Sequence, residues 1–211
     1  MLLFIQPLIA LNDLIPEIPM CQLCVETIVS TGAIHFCHCS SPETLAAMRR
    51  IEADISRRQM LGGMDYGRIY IASGAVGQAQ RAFDLALKYT TEREAFGSKL
   101  ADMPVVRARI ADMYMEIAKS RALVHDACRL LLSDGPREMG SRAAAVAKIC
   151  ASDAGVFCAK TSMQLHGGYG FTKEFEIERI YRDAVLATIA EGTNDILRGL
   201  IAGISLKFPG I

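Results

Sequence analysis

Tryptophan is absent from the chain and aromatic residues of all kinds make up only 7% of it. Strands depend on aromatic and β-branched side chains to pack a pleated face, so a sheet-rich sandwich is disfavoured. Neither sign of charge is in excess: Lys+Arg and Asp+Glu are 23 each, and the pI is near 6.9. With no basic bias, nucleic acid and anionic membrane surfaces are not expected partners. No uninterrupted apolar run approaches the roughly 20 residues of a bilayer span. A disulfide framework is also disfavoured, because the 7 cysteines are odd in number and no secretory signal accompanies them. The N-terminal MLLFIQPLIAL is apolar, but it lacks a positive leading region, contains Pro7 and is followed by acidic residues, so it is not read as a signal peptide. A reducing compartment is expected.

What is present is aliphatic and globular in proportion. Apolar residues are 51% of the 211 and charged residues 22%, enough to bury a core. Up to about Ser41 the chain is irregular, interrupted by Pro7, Pro16 and Pro19. Cys21-x-x-Cys24 and His35-x-Cys37-His38-Cys39 in this stretch have the donor types of a zinc knuckle; chance clustering in a leader is the plainer reading, and no metal is assigned. Ser41, Pro42 and Glu43 read as the start of a short helix to Arg58, with Gly62-Gly63 after it as a hinge or breaker.

From there the period is helical. One helix is expected over Met64–Thr90, with Ile71, Ala75, Ala79, Ala82 and Leu85/Ala86 on one face, and a second over Met103–Ser133, with Pro104 in its first turn. Val106, Ile110, Met113, Ile117, Val124, Cys128 and Leu131 form its stripe. A third covers Ser141–Leu165, a loop His166–Glu174, a short helix Glu176–Ala187, and a last helix begins after Thr193. The pattern predicts an all-α fold, an antiparallel four-helix bundle over 61–211 preceded by an irregular extension over 1–60.

Three places carry possible chemistry. Glu191, beside Gly192 and ahead of a helix capped by Thr193 or Asn194, follows the apolar Ile189 and Ala190. Against such a surface its acidity would fall toward that of a base, unless it is an ordinary exposed loop glutamate. In Gln164-Leu165-His166-Gly167-Gly168-Tyr169-Gly170 the paired glycines let backbone N–H groups approach a phosphate; an ordinary helix C-cap is the alternative. His166 reads as a loop hydrogen-bonder. Arg93 and Phe96, next to Gly97, can grip a pyrophosphate and cover a ring system, or simply close a helix end.

Taken in order, DYGRIYIASGAVGQAQRAFD (65–84), TEREAFGSKL (91–100), QLHGGYGF (164–171), RDA (182–184) and AEGTNDIL (190–197) resemble the C-terminal helical domain of the acyl-CoA dehydrogenase flavoproteins. The resemblance covers Gly62 to about Leu206 and favours the short- and medium-chain-like branch. It implies FAD-dependent oxidation of acyl-CoA to 2-enoyl-CoA, electrons passing to an electron-transfer flavoprotein-like acceptor, and a homo-oligomer, dimer or tetramer, whose flavin bridges subunits. It places the chain in a mitochondrial matrix or a bacterial cytoplasm. Glu191 matches the base. In the isovaleryl and long-chain branches the base stands on the first long helix, at the position of Gly67, which has no carboxylate. Arg93 and Phe96 match contacts to a neighbour's FAD, Gln164, Leu165, His166, Gly167 and Gly168 the loop on its adenosine-diphosphate part, and Thr193, Asn194 and Asp195 further FAD contacts. Pro104 stands where the family usually has a glutamine contacting FAD. Asp65, Tyr66, Gly67 and Arg68 match the stretch touching acyl-CoA, with Arg68 near the adenine, and Gly192 borders the thioester. Residues 1–60 do not match the family's N-terminal helical and middle β-domains, so a fragment or a truncated isoform with exposed apolar surface is expected. The rival expectation is a non-catalytic helical module that associates with full-length subunits.

Overall fold

The computed structural model describes residues 42–210, with side chains from Gly63 onward. The Cys21–Cys39 cluster and the rest of the extension lie outside the described residues. Among those described, the order is α1 (Pro42–Glu92), a hairpin of β1 (Glu94–Ala95) and β2 (Ser98–Lys99), a 3-10 turn Leu100–Asp102, α2 (Pro104–Leu131), α3 (Arg137–His166), a 3-10 turn Gly167–Phe171, α4 (Ile177–Ala187) and α5 (Asn194–Lys207). The fold is all-α apart from that two-residue ladder.

Gly62 and Gly63 do not separate two helices; both fall inside α1. Interior glycine costs about 1 kcal/mol relative to alanine, too little to break a helix flanked by Met60, Leu61 and Met64 and packed along its later turns. Elsewhere local signals hold. Pro104 is the first residue of α2, where its missing N–H has no helical partner to lose. Thr193 caps α5 by accepting from the Ile196 N–H at 3.3 Å.

Alanine sets the core. Ala79, Ala82 and Ala86 of α1 are buried against Met113 and Ile117 of α2, Cys158 and Ala159 of α3, and Ile177, Ile180 and Ala184 of α4. A second cluster carries the same helices onward through Ala72, Ala75, Val124, Ala127, Ala147, Ala151 and Ala187. Side chains this small let helices interlock closely, with larger aliphatics filling the gaps. The fifth helix adds to this bundle by seating Leu197 on Ala145 and Ile149 of α3. Thus α3 touches α2, α4 and α5, and the loop Thr188–Thr193 between α4 and α5 is drawn against it.

Candidate active site

Glu191 and Gly192 both have left-handed backbones, with φ of +53° and +94°. Glycine adopts this freely; a glutamate there is strained by about 1 kcal/mol or more. The turn aims the Glu191 side chain at α1. A Cβ built on Gly67 would lie 2.6 Å from Oε2 and 2.7 Å from Cδ of Glu191, so the carboxylate fills the space an alanine methyl would need. Glu191 and Gly67, the two positions at which the resemblance leads one to expect a base, therefore share one volume. The desolvated carboxylate expected from Ile189 and Ala190 is not found: Glu191 is exposed in this chain, because Ile189 too points to solvent.

Beside Gly67, Asp65 and Arg68 are buried and paired at 2.6 Å. Ser141 Oγ donates to the second carboxylate oxygen at 2.5 Å. The Arg68 guanidinium turns inward to Asp65, and its buried Nε has no hydrogen-bond partner. Tyr66 is exposed.

The loop holding Glu191 rests on a group that composition gave no reason to single out. Lys148 of α3 is completely buried, and its Nζ donates to the Gly192 carbonyl and to Asn194 Oδ1, both at 2.9 Å. Asn194 Nδ2 donates to Ser152 Oγ at 3.1 Å and Asp153 Oδ1 at 2.9 Å. Asn194 is thus an internal strut, with no side-chain polar group turned outward to a cofactor. Asp195 is exposed and paired with Arg198 at 2.8 Å. A lone lysine on an alanine-rich helix is normally solvated. Its position one turn from Ala144, Ala151 and Ser152, on the buried stripe, is the signal that marks it as internal.

The second group lies at the far end of α3. The hairpin 94–99 turns through Phe96 and Gly97, with φ of +54° and +81°, the type I′ pattern of a two-residue connection. The Phe96 ring is 97% exposed at its tip. Arg93 lies 5.8 Å from the centroid of Tyr169, which brings the hairpin to the turn after α3. There Gln164, Gly167 and Gly168 face solvent, and a Cβ on either glycine would meet open space. Leu165 and His166 do not join them. Leu165 is part of the core, and His166 is buried with its ring stacked on Tyr89 at 4.2 Å. Pro104 is exposed at the start of α2 and has no polar side-chain atom to offer a flavin.

His166 Nδ1 donates to the Ser162 carbonyl at 2.7 Å. Burial lowers its pKa, with the hydrogen bond to Ser162 opposing. As pH falls below about 6.5, the unfolded chain takes a proton that the folded imidazole refuses, so stability falls until the folded pKa is reached. The urea midpoint is expected to drop more between pH of about 7.5 and 5.5 in the unmodified chain than in His166→Phe. Equal drops would remove His166 from this role.

Residues 57–206 match the family model described as acyl-CoA dehydrogenase, C-terminal domain. The chain is 39% identical over 145 residues to the caffeyl-CoA reductase-Etf complex subunit CarC of Acetobacterium woodii, covering 68% of this chain and 37% of that protein. It is 40% identical over 144 residues to the human mitochondrial short-chain specific acyl-CoA dehydrogenase, covering 68% and 34%. The solved butyryl-CoA dehydrogenase of Megasphaera elsdenii superposes with a TM-score of 0.66 at 34% identity, over 69% of this chain and 37% of that one. The chain thus spans little more than a third of the length of these relatives. By sequence and by fold it belongs to the acyl-CoA dehydrogenase family, through that family's C-terminal helical domain.

Proposed function

We propose that this bundle supplies the base and part of the flavin cradle for FAD-dependent interconversion of an acyl-CoA and its 2-enoyl-CoA. The observation that carries this reading is the Glu191 carboxylate laid over Gly67 of α1. Glu191 takes the α-proton of the thioester, which it can do only from a fixed approach to one face of the substrate. When bound, FAD accepts the β-hydrogen as hydride. Relatives named dehydrogenases and relatives named reductases both occur, among the latter the acryloyl-CoA reductase (NADH) of Anaerotignum propionicum. The same proton transfer serves either direction.

The residues fit FAD in two groups. The outward Phe96 with Arg93, and the open Gly167–Gly168 backbone, suit a ring and a phosphate. Thr193 and the Glu191 turn form the other group. Lys148, beneath that turn, and His166, at the end of α3, are separated by about 27 Å at about 1.5 Å per residue. One flavin touching both groups takes them from two copies of the chain, which is the reading's ground for a homo-oligomer. An electron-transfer flavoprotein is the proposed acceptor. The bundle is taken to occupy 61–211, with 1–60 as a separate extension.

A second reading, a non-catalytic module that binds complete subunits, is favoured by the exposed Tyr70, Phe96 and Phe171 of this chain. The visible absorption spectrum of the purified chain after addition of FAD decides between them. The catalytic reading expects a flavin band that survives gel filtration and bleaches with butyryl-CoA. Protein that stays colourless overturns it and leaves the module.

A further inference from the structure

A buried ammonium is costly unless its donors are used, and those of Lys148 are spent on one short segment. Gly192 offers its backbone carbonyl and Asn194 its side-chain oxygen, each at 2.9 Å. The Asn194 N–H meanwhile donates to the Thr188 carbonyl at 3.1 Å, closing the segment into a loop. Between these ties stand Glu191 and Gly192, both left-handed. Such a turn at a non-glycine residue persists only where its surroundings over-determine it. Burial lowers the Lys148 pKa and neighbouring Arg68 lowers it further, while Asp153 opposes; the lysine thus sits in a place a solvated cation would avoid.

We propose that Lys148 is the positioning residue of Glu191: by holding the Gly192 carbonyl and the Asn194 side chain, it fixes the left-handed turn that lays the carboxylate over Gly67. The proposal rests on the reading of Glu191 as the base, but Lys148 itself touches no reacting atom. It acts through the main chain.

The test is Lys148→Met in the full chain, with the unmodified chain and Glu191→Gln beside it. Amide hydrogen exchange over residues 188–195 is expected to accelerate about tenfold or more, with the amides of α2 and of the rest of α3 unchanged. In flavin-loaded protein kcat for butyryl-CoA falls by more than KM rises, because the base is displaced while the acyl-CoA stretch on α1 is untouched. Exchange over 188–195 at the unmodified rate overturns the proposal. So does acceleration spread evenly over all helices, which marks a merely structural lysine, and so does a loosened loop with kcat unmoved. Should the methionine variant not fold, Lys148→Gln keeps N–H donors on a shorter arm and is read the same way. Turnover surviving in Glu191→Gln overturns the base reading alone, so the two failures are distinguishable: exchange reports on what holds the turn, and the glutamine variant on what the turn serves.

Discussion

Replacing Glu191 with glutamine is expected to leave the melting temperature of the bundle unchanged and to lower turnover of flavin-loaded protein by roughly 10²–10⁴-fold, the usual worth of a positioned general base. The substitution changes no volume, and the side chain it alters is exposed, so neither packing nor a buried hydrogen bond is lost. Glutamine meets the left-handed φ of +53° with the same strain as glutamate. Flavin retention should also persist, since Phe96, Arg93 and the Gly167–Gly168 turn are untouched. What disappears is an oxygen able to take a proton. Circular dichroism melting, the flavin band and steady-state turnover with butyryl-CoA together check this. Turnover equal to that of the unmodified chain would remove Glu191 from the role, whereas loss of the flavin band would show that the carboxylate serves the cofactor instead.

The parts of the fold legible in the sequence are those written locally. Proline at the start of α2, the threonine cap of α5 and the aliphatic stripe of α2 each act through neighbours within a turn or two, and each stands where its chemistry puts it. The same holds for the alanine ridge of α1, where Ala75, Ala79, Ala82 and Ala86 are all buried. The break at Gly62-Gly63 was a local signal too weak to decide, because the cost of two glycines is spread over a long helix. The hairpin at Phe96 escaped because its first turn residue is not a glycine, asparagine or aspartate, the residues that advertise a positive φ.

The candidate site is legible in the sequence as a set of proposed residues, less so as an arrangement. Resemblance brought out Glu191 and Gly67 as alternatives, yet only the tertiary structure gives them one shared space. Arg68, Leu165, His166 and Asn194, all offered by the resemblance as ligand contacts, are buried in this chain. Whether a side chain faces in or out near a helix end depends on what the next helix covers, and no spacing rule contains that. Lys148 was missed for the opposite reason: its type predicts solvent, and its place on the stripe of α3, against type, makes it internal.

Gly67→Ala is the sharper test of that shared space, because its expected effects have opposite signs. An alanine inside α1 is favoured over glycine by roughly 0.5–1 kcal/mol, which raises the melting temperature by a few degrees at this chain length. Its Cβ would come within 2.6 Å of Glu191 Oε2 and 2.7 Å of Cδ, closer than non-bonded atoms tolerate. The group that must yield is the exposed end of a flexible side chain rather than backbone, so the carboxylate swings aside and the helix keeps its gain. A base displaced by about 1 Å costs on the order of 10²-fold in rate. The variant should therefore be more stable and nearly inactive, with its flavin band intact. Combining it with Glu191→Gln separates this mechanism from any other injury to the site. Once the base is gone, moving its side chain can do nothing further, and the double variant should turn over no more slowly than Glu191→Gln alone. A further loss in the double variant would assign Gly67 a substrate contact of its own. A fall in melting temperature of the single variant would mean that Glu191 is held too firmly by its turn to yield, so that the clash strains the helix instead.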